Sequence, residues 1–182
     1  NLKLIYKESV PFDGTCITVM QNMIDQGCEI IICNSFDYGS YVLQVAEDNP
    51  EIKFFHATGI EMGKNVSTYF GRIYQMRYLS GIVAGLQTET QSIGYVAAFP
   101  IDEVNRGINA FTLGVQSVNP NAVVNVYWSE SWTDENANAI AANTLIDTYN
   151  VDVLAMHCDT VSPLDVAESR GIWSIGYNMD NS

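Results

Sequence analysis

Short runs of β-branched and aromatic residues alternate along the chain with longer stretches whose apolar positions recur at helical spacing. That is the pattern of βαβ units feeding a parallel sheet. Leu2–Val10 reads as a strand. Asp13–Gly27 reads as a helix that turns Val19, Met23 and Ile24 to one side and stops at Gly27. Glu29–Asn34 is almost unbroken apolar, the mark of a strand buried on both faces. Tyr38–Asn49 follows as a helix closed by Pro50, then Lys53–Ala57 as a strand and Asn65–Phe70 as a short extended piece. A helix over Ile73–Gln87 carries Gly81, Ala84 and Gly85 for close packing.

The alternation then resumes. Ser92–Ala98, Val123–Ser129, Asp152–His157 and Ile172–Tyr177 read as strands. Between them lie helices at Glu103–Ser117, at Asn136–Tyr149 with Ile140, Leu145 and Ile146 inward, and at Pro163–Ser169. The one seam is the extended Asn65–Gly71. The expected fold is α/β with two doubly wound parallel-sheet lobes: a partial N-terminal lobe over residues 1–70 with three core strands, and most of a C-terminal lobe over residues 71–182 with four. A first sheet this short, and a last strand with nothing after it, read as an incomplete fragment of a larger protein.

Composition narrows the function. The 182 residues are 47% hydrophobic and 16% charged, which excludes a disordered segment. Eight Lys and Arg against 21 Asp and Glu leave a net charge of −13, so nucleic-acid backbones and anionic lipid are excluded as partners. Residues 1–72 hold five basic and nine acidic residues, residues 73–182 three and twelve; the acidity concentrates in the second lobe. No apolar run has the length of a membrane span. Cys16, Cys28, Cys33 and Cys158 form no CxxC or zinc-ligand spacing and read as small buried side chains, leaving redox compartment and pairing open.

Ligands of open parallel sheets bind beyond the carboxyl ends of the strands. Those ends carry Ser35, Phe36, Tyr38 and Thr58 in the first lobe. In the second they carry Phe99, Trp132, Asp159, Thr160, Asn178 and Asp180. No Lys or Arg stands at any of them. A phosphorylated ligand calls for a Gly-rich loop or basic residues, and a carboxylate for an Arg clamp. Flat aromatics with carboxylate acceptors suit a neutral planar ring bearing N–H donors, such as a nucleobase.

No catalytic residue, metal site or cofactor is expected. GxSxG, HExxH, P-loop and GxGxxG motifs are absent, and His56 and His157 lack a spaced nucleophile. His157 and Cys158, as strand neighbours, point to opposite faces. Asp102-Glu103 and Asp134-Glu135 read as charges in first helical turns, where the macrodipole favours them.

The runs His56-Ala57-Thr58-Gly59, Asn65-Val66-Ser67-Thr68-Tyr69 and Arg77-Tyr78-Leu79-Ser80-Gly81-Ile82-Val83-Ala84-Gly85 resemble the basic membrane protein (BMP) family, the substrate-binding lipoproteins of ABC transporters. The stretches Ile93–Ile101, Glu103-Val104, Arg106–Gly114 and Ser117–Pro120 are closer still. The resemblance covers essentially the whole chain and points to the branch associated with purine bases, adenine in particular. It implies a type 1 periplasmic-binding-protein fold closing over ligand at a hinge, an extracytoplasmic location through a lipid anchor outside this fragment, and a membrane permease as partner. By the same resemblance Ser35-Phe36 supplies one stacking aromatic, Ser131-Trp132 the opposing one, and Asp159 of His157-Cys158-Asp159 the partner of the purine edge. Cys158 stands where that branch has Thr, and Asn178 and Thr58 stand where the nucleoside-binding branch has Asp, which fits a free base. The family's extra length implies missing segments before residue 1 and after residue 182. The alternatives are a nucleoside as ligand, or a ligand-sensing domain of a membrane signalling protein or regulator with the same fold; an enzyme acting on purines would need a paired base and nucleophile.

Overall fold

The computed structural model describes residues 3–178 of the chain. It divides into two compact units, residues 1–71 and 72–182. Each is α/β with one parallel sheet.

In the first unit, helix α1 (Thr15–Asp25) starts where the Asp13 carboxylate accepts from the Thr15 N–H and hydroxyl, and it ends before Gly27 at φ +88°. Strand β1 (Ile30–Cys33) leads through a 3₁₀ turn (Phe36–Tyr38) into helix α2 (Gly39–Asp48). Strands β2 (Lys53–Ala57) and β3 (Val66–Tyr69) complete a three-stranded sheet in the order β1-β2-β3. The Asn65 side chain ties the turn before β3 to the end of α2 and its loop, donating to the carbonyls of Ala46, Asn49 and Ile52.

Two expectations fail here. The segment expected as a strand at Leu2–Val10 forms none over residues 3–10, and Leu4 and Tyr6 are exposed; Leu2 lies outside the described residues. The third place in the sheet goes to β3, the short extended piece, in register Phe54↔Val66 through Ala57↔Tyr69. Nor is β1 buried on both faces. Ile31 and Cys33 pack with Cys16, Met20, Val42, Val45 and Phe54 beneath both helices, whereas Ile30 and Ile32 are exposed. An unbroken apolar strand therefore marks two apolar faces, only one of which these residues cover.

In the second unit, helix α3 (Tyr74–Gln87) precedes strand β4 (Ser92–Ala97). Then come α4 (Asp102–Val118), β5 (Val123–Trp128), α5 (Glu135–Tyr149), β6 (Val153–His157), α6 (Ser162–Ser169) and β7 (Trp173–Ile175). The sheet order is β5-β4-β6-β7. Side-chain alternation splits the core in two, as a doubly wound sheet requires. Ile93, Tyr95, Ala97, Val153 and Ala155 pack under α3 and α4, while Val96, Ala98, Leu154 and Met156 pack under α5 and α6. On α5, Leu145 is fully buried but Ile140, expected inward, is 60% exposed. Ala141 and Ala142 take the inward positions instead, which lets the helix sit close to the sheet.

Helices α3 and α4 cross at a pair of glycines. A Cβ at Gly81 would stand 2.0 Å from the Phe111 carbonyl oxygen, and one at Gly114 would stand 2.0 Å from that of Tyr78. Arg77, in the first turn of α3, lies over the ring of Tyr95 from β4.

Candidate functional site

The first unit's strand ends are organised by His56. Its Nε2 lies 2.6 Å from the carbonyl oxygen of Ser35, and its ring rests against Gly59, where a Cβ would fall 2.1 Å from Nδ1. Ser35 is extended and opens the 3₁₀ turn that carries Phe36, which is half-buried. Burial pushes the carboxyl of Asp37 up. Tyr38 faces the core: its hydroxyl donates to the Val10 carbonyl at 2.7 Å, and its ring lies 5.1 Å from that of Phe12. Its polar handle is committed to the segment before α1. Thr58, just past β2, adopts φ +61°, a left-handed backbone rare for a β-branched residue, and its N–H donates to the Tyr69 carbonyl.

The second unit brings Trp132 and Asp159 together. The chain leaving β5 is clasped to the end of β4 by Ser129 N–H to the Ala97 carbonyl and Glu130 N–H to that of Ala98. Ser131 Oγ then accepts from the N–H groups of Thr133 and Asp134, and Asp134 caps α5 by accepting from Ala137 N–H. Trp132 sits between these anchors, its ring 5.8 Å from Phe99 and 6.2 Å from His157. Its carbonyl accepts the Asp159 N–H at 2.7 Å, so the indole and the exposed carboxylate stand on two loops tied by one backbone bond. The indole Nε1 is buried without a hydrogen-bond partner.

Thr160 is buried, with its hydroxyl 3.0 Å from Asn138 Nδ2 and 3.0 Å from Ser162 Oγ. It joins α5 to α6. Asn178 is exposed and left-handed at φ +59°, a conformation Asn tolerates. Asp180, the other acceptor expected after the last strand, lies outside the described residues. Cys16, Cys28, Cys33 and Cys158 are free thiols; burial, reinforced by Cys16, pushes the Cys33 thiol up to about 12. Among the described residues no group of three or more His, Cys, Asp or Glu is placed to hold a metal ion.

One cluster lies outside the strand-end inventory. Arg77, in the first turn of α3, is 3% exposed. Its guanidinium lies 4.3 Å from the centroid of the Tyr177 ring and 5.6 Å from that of Tyr95. The Tyr177 ring is 4.4 Å from His157, whose Nδ1 is 3.2 Å from the Tyr95 hydroxyl. Glu103 closes the group: the Tyr177 hydroxyl donates to its Oε1 at 3.3 Å, and His157 Nε2 stands 3.5 Å from the same oxygen, too long for a hydrogen bond. Burial pushes the Tyr95 hydroxyl up to about 12, against the pull of Arg77. A cation therefore does stand at the strand ends, delivered by a helix rather than by the loops after the strands. The readable signal was a charge on the buried stripe Arg77, Gly81, Ala84, Gly85. Glu103, read as a helix-end charge, is the acceptor of this cluster.

Two α/β units, each built on a parallel sheet, give the chain a periplasmic-binding-protein-like fold. The chain superposes on an ABC transporter solute-binding protein from Aeropyrum pernix K1 with a TM-score of 0.68, at 19% identity over 88% of this chain and 50% of that one. A model of the Bmp family, described as ABC transporter substrate-binding protein PnrA-like, matches residues 1–182, and the chain belongs to that family. It is 42% identical, over 97% of its length, to the "Putative ABC transporter glucose-binding protein TsgA13" of Haloferax volcanii. It is 40% identical, over 85%, to the "Purine-binding protein BAB2_0673" of Brucella abortus. The chain spans 45% and 44% of the lengths of these two relatives.

Proposed function

We propose that this chain is the ligand-binding part of an extracytoplasmic solute-binding protein that captures a purine base and delivers it to the membrane permease of an ABC importer. The lipid anchor implied by the resemblance would lie outside these residues; among the described residues no helix is long and apolar enough to cross a membrane. The observation that carries the reading is the pairing of Trp132 with Asp159 across one 2.7 Å backbone bond. It offers a flat stacking surface beside a carboxylate that accepts ring and exocyclic N–H groups. The purine-binding name of the relative at 40% identity supports the same class, and adenine is the base the sequence resemblance implies.

Calorimetry on the full-length protein tests this with adenine, hypoxanthine, guanine, adenosine and glucose as titrants. A free purine base is expected to bind, and Trp132→Ala to weaken it about tenfold or more, since stacking contributes about 1–3 kcal/mol per base. Trp132→Phe, which keeps a ring against Phe99 and His157, is expected to bind with a smaller loss. A protein that takes the nucleoside and ignores the base sinks the base reading. Glucose is the second reading, favoured by the name of the relative at 42% identity; glucose binding without purine binding establishes it.

A further inference from the structure

A guanidinium buried to 3% exposure ordinarily has a carboxylate or several carbonyls around it, because an uncompensated buried charge is costly. Arg77 has neither: its Nε and Nη2 are buried without a hydrogen-bond partner, and no salt bridge among the described residues involves it. What holds it is the face of Tyr177 at 4.3 Å, with Tyr95 at 5.6 Å. Cation–π stacking uses the flat face of the guanidinium and leaves its in-plane N–H groups unspent. Nε–H and Nη2–H form one edge of the fork, two parallel donors spaced for a pair of acceptors. Buried polar atoms left unsatisfied in a folded protein call for an occupant that satisfies them. A third buried donor, Trp132 Nε1, belongs to the same side-chain chain through His157 and Tyr177.

We propose that Arg77 selects the purine: its Nε–Nη2 edge donates to the O6 and N7 acceptors of a 6-oxopurine, making hypoxanthine or guanine the preferred base in place of adenine. The inference rests on the purine reading above. In the grooves of nucleic acids the same fork recognises the O6/N7 pair of guanine, whereas adenine turns an amino donor towards it at N6. An anionic ligand fits the edge less well, because Glu103 accepts from the Tyr177 hydroxyl and the negative charges of Glu103 and Asp159 both act on that phenol. A neutral acceptor edge satisfies the fork without adding a third negative charge. The remaining donor of the base, N1–H or N9–H, suits the acceptor character of Asp159.

The test is titration calorimetry of the full-length protein with hypoxanthine, guanine and adenine, in the wild type and in Arg77→Gln and Arg77→Lys. The wild type is expected to bind hypoxanthine or guanine about tenfold or more tighter than adenine. Arg77→Gln is expected to weaken hypoxanthine and guanine more than adenine and so bring that ratio close to one. Arg77→Lys, which keeps charge but loses the fork, should fall between them. A wild type that prefers adenine overturns the proposal even if both variants fail to fold, and so does an unchanged ratio in a folded Arg77→Gln. No binding of any purine overturns the proposed function and this inference together; purine binding without the oxopurine preference overturns this inference alone.

Discussion

His56 Nε2 lies 2.6 Å from the carbonyl oxygen of Ser35, joining the end of β2 to the loop that carries Phe36. The ring is 1% exposed and has Gly59 pressed against its other side. The carbonyl is half-buried and also accepts the Tyr38 N–H at 3.4 Å, so removing the imidazole forfeits one hydrogen bond, about 0.5–1.5 kcal/mol. His56→Ala is therefore expected to lower the urea-unfolding free energy of the full-length protein by that amount. Gly59→Ala, whose Cβ would collide with the ring, should lower it comparably. A wild-type denaturation midpoint in both variants refutes the linkage between the histidine and the Phe36 loop.

Thr58 is the residue after β2 and stands at φ +61°. A left-handed backbone costs an L-residue about 1–2 kcal/mol, and a β-branched side chain feels it fully, while Asn offsets part of it through its short polar side chain. Thr58→Asn is expected to raise stability by about 1 kcal/mol, seen as a higher urea midpoint at unchanged slope. A variant no more stable than the wild type shows that surrounding contacts, not backbone strain, govern this turn.

Strands β2 and β6 were legible because a compact apolar run bounded by turn residues has few other readings, and α3, α4 and α5 because their periodicity extends over three turns or more. The segment at residues 3–10 was misread because apolar residues in an extended run do not by themselves make a ladder: the three places in the sheet go to β1, β2 and β3, and residues 3–10 pair with none of them. The site divides in the same way. Trp132 and Asp159 lie in the loops after β5 and β6, where reading the residues beyond each strand looks for candidates. Arg77 was invisible to that reading: it stands in the first turn of α3, ahead of β4 in sequence and not in a loop after a strand. Tyr38 and Thr160 look identical to ligand groups in sequence, and only the structure shows their hydroxyls bonded to Val10 on one side and to Asn138 and Ser162 on the other.

The placement of Arg77 depends on the glycine crossing. Methyl groups at Gly81 or Gly114 would meet backbone carbonyl oxygens at 2.0 Å, and backbone cannot swing aside as a flexible side chain can. Gly114→Ala is expected to cost about 3 kcal/mol, the upper part of the usual range for overpacking. Gly71→Ala, with open space around its Cβ, serves as the control and should stay within about 0.5 kcal/mol of wild type. Chemical denaturation of both proteins decides; equal midpoints would mean that α3 and α4 separate at little cost.

His157 gives the second unit a pH dependence whose sign follows from its surroundings. Burial is the largest influence and lowers its pKa from the ordinary 6.5; Glu103 opposes the shift and Arg77 adds to it. The groups facing it are Arg77 from α3, Glu103 from α4, Tyr95 from β4, Trp132 after β5 and Tyr177 after β7. The native imidazole thus stays neutral at a pH where the unfolded one has begun to bind a proton. Above the unfolded value the two states bind protons equally and nothing is lost. As pH falls below about 6.5 the unfolded state gains protons first, so stability declines until the native pKa is passed, and then levels off. His157→Gln removes this contribution while keeping a polar group opposite the Tyr95 hydroxyl. The stability difference between wild type and variant is expected to shrink as pH is lowered from about 8 to about 5, measured by urea denaturation at each pH. A difference that stays constant across that interval would mean that His157 titrates alike folded and unfolded, and that Glu103 compensates its burial in full.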